Sequence, residues 1–200
     1  VIWLLAWHTG CRLSGLKALD LEDLDLEGTH PQLGGPAVHF VHRPPETPLK
    51  NEDGSTRWNR IPAHVATAIG EYIEGRRTDV VDESGRAPLL TTKNGRPADS
   101  TVRDAFYRWT RPCYRNEGCP HDRDLETCEA TSKDHASKCP SSRSPHDMRS
   151  GRVTFYARED TPRRIVQDRL DASEKVLDKH YDRRSERERA AQRADYLPDT

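Results

Sequence analysis

One interruption governs how this chain can fold. Apolar residues recur at helical spacing over much of its 200 residues, but from Pro112 to Ser144 that pattern collapses into a polar, Cys-rich stretch. Before the break, Pro62 starts a helix with Val65, Ile69, Tyr72 and Ile73 on one stripe. Ser100 is the expected N-cap of a second helix, Thr101 to Thr110, with Val102, Phe106 and Trp109 on one face. After the break, periodicity returns at about Pro145. Pro162 suits a first helical turn, and Ser173 an N-cap with Glu174 behind it. No internal repeat is present.

Two segments read differently. Val38 to Arg43 and Arg57 to Ile61 have strand composition, and the polar run Asn51-Glu-Asp-Gly54 between them reads as a hairpin tip. Asp20 to Glu27 alternates apolar and acidic residues, as a short strand or turn after a first helix would. The expected fold class is therefore α+β, mostly helical, with a small antiparallel sheet and a Cys-rich insertion. An apolar share of 33% implies a lean core. The apolar run Val1 to Trp7 is too short to span a bilayer and lacks the flanks of a signal peptide. It reads as the end of a helix, and the chain as the C-terminal part of a longer cytoplasmic protein.

Net charge is −1, which does not advertise a nucleic-acid binder. The split says more, with 25 Arg and 7 Lys against 19 Asp and 14 Glu. Arginine is the better residue for bidentate phosphate contacts, and a balanced total leaves room for a basic groove on one face. Abundant Asp with scarce Lys also suits a salt-adapted or high-GC source.

Four separated segments stand out: Thr9-Gly-Cys-Arg12-Leu-Ser, Lys50 in the hairpin, Ser144-Pro-His146-Asp-Met-Arg149, and Lys179-His-Tyr181. Singly each is ordinary. An arginine after a Thr-Gly turn is commonly a surface residue, and a His and Arg at i and i+3 commonly solvate one helix face. A tyrosine near a charged tail commonly packs as an anchor. In this order, Arg, Lys, His-x-x-Arg, Tyr, they resemble the active site of the tyrosine recombinases, the phage-integrase family, over about residues 1–110 and 143–185. Integrase-like proteins of halophilic archaea, which carry a similar Cys-rich stretch, are closer still.

The resemblance implies a site-specific DNA recombinase. Arg12 and Arg149 would bind the non-bridging oxygens of a phosphodiester, and His146 would add a hydrogen bond and assist proton transfer. Tyr181 would attack phosphorus to form a 3′-phosphotyrosine, and Lys50 would protonate the leaving 5′ oxygen. Because the phosphotyrosine keeps the bond energy, no ATP or catalytic metal is implied. Implied too are double-stranded DNA as partner, a homo-tetramer on it, no membrane, a nucleoid-associated location, and a missing N-terminal domain clasping the other side of the duplex.

This chain departs from the family pattern at three places. Ala172, preceded by Asp171 in place of Gly, falls where the family has His or Trp, so that hydrogen bond is absent unless His180 or another side chain substitutes. Gly15 stands where an acidic residue is common. The Lys50 hairpin is about four residues longer than usual, and Lys17 and Lys93 are poorer candidates by position. Two other classes share parts of this pattern. A catalytically decayed DNA-binding relative would fit Ala172. A type IB topoisomerase would share the Arg, Lys, Arg, Tyr set, but generally has Lys-x-x-Arg where this chain has His146 and Arg149. A simple zinc-binding interaction module would leave all four segments unexplained.

Cys113, Cys119, Cys128 and Cys139 could hold a structural zinc through four thiolates, or three with His121 or His135 as substitute. They lack paired Cys-x-x-Cys knuckles, so unrelated thiols are the alternative; disulfides are disfavoured in a reducing compartment. Cys11 reads as a small buried apolar residue. The expected organisation is a catalytic domain over 1–185 containing the insertion 112–144, then a charged tail over 186–200. The tail is expected as a solvated helix or, by the resemblance, as an arm docking on a neighbouring protomer.

Overall fold

The computed structural model describes residues 1–180, 184–194 and 196. Helix α1 (Ile2–Thr9) stops at Gly10, which takes the left-handed conformation at φ 61°. Glycine adopts that conformation without steric penalty. It is needed here twice over, since a Cβ on Gly10 would lie 2.0 Å from Leu170 Cδ2. The chain then turns into α2 (Leu13–Ala18), with Arg12 extended at its N-cap.

Three short strands follow: β1 (Leu24–Asp25), β2 (Ala37–Phe40) and β3 (Arg57–Arg60) form one antiparallel sheet in the order β1-β2-β3. Leu24 pairs with Val38, and His39 with Trp58. Ala37, Val38 and Phe40 are buried against the core. Arg57 lies over the Phe40 ring, 4.6 Å from its centroid. The observed strands are shorter than their β-rich composition suggests, because the chain leaves the ladder at Val41.

Among the described residues five further helices follow: α3 (Ala63–Gly75), α4 (Asp99–Trp109), α5 (Pro145–Arg158), α6 (Arg163–Leu170) and α7 (Glu174–His180). The final element is α8 (Glu186–Ala194). Helix α4 begins before Ser100, with Ala98 as N-cap, so the hydroxyl at 100 does not cap it. The insertion is not an unstructured loop. It contains 3-10 turns at Pro112–Arg115, Glu129–Thr131 and Lys133–Lys138. Ser142 Oγ donates to Tyr107 O at 3.0 Å and Arg143 N to Thr110 Oγ1 at 2.8 Å, which stitches the end of the insertion to α4.

The described residues form two cores. The larger gathers Leu5, Leu16, Leu19, Val38, Phe40, Val65, Ile69, Leu89, Val102 and Phe106, while α5, α6 and α7 close a smaller one around Val153, Val166, Leu170 and Leu177. Each fully buried Leu, Val, Ile or Phe contributes about 1.5–3 kcal/mol. Arg152 joins the two halves, its guanidinium 5.3 Å from the Trp7 ring on α1 and 4.4 Å from Tyr156 on α5. This α+β arrangement is the one expected. No helix among the described residues is long and apolar enough to cross a membrane.

Candidate active site

The Thr9-Gly10 turn aims the first arginine. Thr9 Oγ1 donates to Leu5 O at 2.6 Å and accepts the Cys11 N–H at 3.3 Å, which fixes the exit from α1. Cys11 is buried, and burial pushes its thiol pKa up, in keeping with a packing role. Gly15 is closely packed: a Cβ there would lie 3.4 Å from the Phe40 ring and 3.3 Å from Cys11 Cβ, so a larger residue would need those neighbours to shift by a few tenths of an ångström.

Helix α5 brings the second pair. Ser144 caps it, its Oγ accepting the Asp147 N–H at 3.2 Å while the Asp147 carboxylate accepts the Ser144 N–H at 3.0 Å. Pro145 opens the first turn. This box sets the register that turns His146 and Arg149 to the same side. Arg149 is 1% exposed, and its Nη1 donates to Gly10 O and Leu170 O, both at 2.7 Å. It therefore braces the turn that carries Arg12.

Arg12, Ser14, Arg103, Ser144, His146 and Arg149 line one open cleft. Lys50 lines an adjoining depression with Arg12, Ser14, Leu49, Arg57 and Asp171. Four of the five sequence-derived catalytic candidates thus border two depressions that share Arg12 and Ser14. The fifth, Tyr181, lies outside the described residues. The positive end of α5 faces the same cleft, so guanidinium groups and helix dipole act together to favour an anion there.

Sequence reasoning missed the groups behind this frame. Arg57 Nε and Asn59 Nδ2 both donate to Arg169 O, at 3.1 and 2.9 Å. Arg169 Nη2 in turn donates to His8 O at 2.8 Å and Arg60 O at 2.6 Å. The end of α6 is thereby bound to the sheet and to α1. Burial lowers the Arg57 pKa. Asp171, at φ 52°, accepts from Arg12 Nη1 at 2.8 Å, Asn51 Nδ2 at 2.7 Å and Ser55 Oγ at 2.7 Å. The one available signal was the unusual Asp itself, at a position where the resembled family has glycine. Ala172 beside it is buried and apolar, and contributes no polar group.

The four insertion thiols are free, and among the described residues no three His, Cys, Asp or Glu side chains stand where they could hold a metal. Cys113 lies in the first of three successive turns, Cys128 is the N-cap of the second and Cys139 the C-cap of the third. The histidines offered as substitute ligands are engaged elsewhere, His121 Nε2 with Ser141 Oγ at 2.8 Å and His135 Nδ1 with Glu129 at 3.3 Å.

No protein-family model matches the chain, and no curated protein matches its sequence. Solved structures do. XerA recombinase superposes with a TM-score of 0.62 at 16% identity, covering 98% of this chain and 55% of its own. The Tn1549 transposon integrase, bound to a circular intermediate DNA or to transposon right end DNA, gives a TM-score of 0.63 at 17% identity. Each of those two matches covers 98% of this chain and 57% of the other. The fold is that of a tyrosine recombinase catalytic domain. The chain spans a little over half the length of the structures it matches.

Proposed function

We propose that this chain is the catalytic part of a site-specific DNA recombinase that cuts and rejoins strands through a 3′-phosphotyrosine at Tyr181. The observation that carries the reading is the single cleft shared by Arg12, His146 and Arg149, on a fold known from DNA recombinases. A phosphodiester seated there would place its non-bridging oxygens against the two guanidinium groups, which offset the charge gained as phosphorus becomes five-coordinate. His146 takes up the proton that the Tyr181 hydroxyl loses as its oxygen bonds phosphorus. Lys50 gives a proton to the departing 5′ oxygen. Return of a 5′-hydroxyl on another strand reverses the step.

The rest of the reading follows from this. Double-stranded DNA is the partner, four copies act together on it, and the protein works at the nucleoid. Residues 1–185 form the catalytic unit, 112–144 its insertion and 186–200 its tail. Kinship with integrase-like proteins of halophilic archaea rests on the Cys-rich stretch between Pro112 and Ser144. A structural zinc on Cys113, Cys119, Cys128 and Cys139 would require their turns to close together. Metal analysis after purification under reducing conditions tests it, and less than about half an equivalent of zinc overturns it.

The decisive assay presents the full-length protein with a randomised pool of nicked DNA duplexes and captures protein–DNA adducts that survive denaturation. Adducts enriched in one sequence are expected. Ala172 favours a second reading, a decayed relative, and DNA binding with no adduct would support it. Relaxation of supercoils without sequence preference would instead favour a type IB topoisomerase.

A further inference from the structure

Among the described residues, Asp171 is the one carboxylate lining the Lys50 depression. It follows directly on α6, and its side chain is only 10% exposed. Its left-handed backbone is the conformation glycine adopts most readily, so an L-side chain here is held against a local steric cost. What the side chain does is specific. One oxygen accepts from both Arg12 and Ser55, and the other from Asn51. Ser55 Oγ also accepts the Asn51 backbone N–H at 3.1 Å, closing the loop that carries Lys50. On its other side, the Leu49 N–H donates to His42 Nδ1 at 2.9 Å. The hairpin tip is thus held at both flanks of Lys50.

We infer that Asp171 is a positioning residue whose carboxylate lashes the Lys50 hairpin and Arg12 to the end of α6. This rests on the reading of the cleft as a DNA-cleaving site. Asp171 engages a single nitrogen of Arg12. A guanidinium has five N–H donors, so others stay available to phosphate while its plane is fixed. The lash also suits a hairpin longer than the resembled family's, since a longer tip has more conformational freedom to lose on ordering. It places order beside Ala172, where no side-chain donor exists.

Glycine gives the cleanest test, because Asp171→Gly keeps the φ and removes only the carboxylate. If Asp171 served merely to end α6, this variant would match or exceed the native chain in every measurement. The inference expects otherwise. Hydrogen exchange of the amides from 49 to 56 should quicken by about tenfold, as loss of hydrogen bonds to a charged acceptor implies. Asn51→Ala with Ser55→Ala, which spares the Arg12 contact, should quicken the same amides. In single-turnover adduct formation on nicked DNA, Asp171→Gly should lose about tenfold to 10²-fold in rate at saturating DNA while half-saturation holds within about twofold. Asp171→Asn, which keeps an acceptor oxygen, should recover part of that loss. Unchanged exchange at 49–56 in both variants overturns the inference, whatever the activity. Faster adduct formation by Asp171→Gly also overturns it, since the carboxylate would then be competing with phosphate for Arg12. If the native protein forms no adduct, the proposed function fails and exchange alone decides the lash.

Discussion

Arg12 and Arg149 carry the same guanidinium into opposite surroundings, and their removal should be felt differently. Arg149 is buried and holds two backbone carbonyls. Arg149→Ala leaves both acceptors without that donor, at about 1–3 kcal/mol each, so thermal unfolding should shift well down before any activity is read. Arg12 keeps 27% of its side chain exposed, and its bond goes to a side chain, the Asp171 carboxylate. Arg12→Ala should lower the melting temperature less than Arg149→Ala, since it leaves one partly buried carboxylate without its cation, and lose roughly 10²–10³ in adduct rate, the usual effect of removing one charge-stabilising donor. Equal unfolding shifts for the two would contradict this division. His8 offers a pH test. Burial lowers its pKa from the ordinary 6.5, helped by Arg152, His64 and Arg169, and burial likewise lowers that of His39. Below 6.5 the unfolded chain then binds protons that the folded chain refuses, so stability present above that pH is lost as the pH falls. Urea midpoints should drop between about pH 7 and about pH 5.5, and His8→Gln with His39→Gln should flatten that part of the curve.

The N-terminus of α5 is the element on which the cleft turns. Ser144 and Asp147 cap it reciprocally. Ser144→Ala should cost about 0.5–2 kcal/mol in unfolding experiments. It should also slow adduct formation, because His146 lies within the turn that the cap orders. Stability loss with no change in rate would show that the cap does not set His146. This element was legible in the sequence, since Ser-Pro-His-Asp is a local signal, and so was the Thr9-Gly10 turn, whose glycine is forced by φ and by Leu170. Asp171, Arg57, Asn59 and Arg169 were not. Their partners lie more than a hundred residues away in sequence, and such contacts leave no periodic or turn signature. The 3-10 turns of the insertion were also hidden, because i to i+3 bonds among polar residues give no apolar stripe. The early start of α4 reflects a serine that looks like a cap but lies inside the first turn.

At the scale of the whole molecule, the two cores and the arginines between them divide the work. The larger core supplies Arg12 and the sheet bearing the Lys50 hairpin; the smaller supplies His146, Arg149 and the helix that leads to Tyr181. The charged tail joins the second half, with Arg158 pairing Glu188 at 2.8 Å and Gln192 donating to Asp160 at 2.8 Å. In this chain α8 therefore meets its own α5 end. The proposed function requires Tyr181 to become bonded to a phosphate held by Arg12 and Arg149. Peptide mapping by mass spectrometry of the purified, nuclease-trimmed adduct reads that directly. A nucleotide joined through its 3′-phosphate is expected on the peptide containing Tyr181, and none in Tyr181→Phe. A nucleotide on any other residue, or an adduct that persists in Tyr181→Phe, would contradict it.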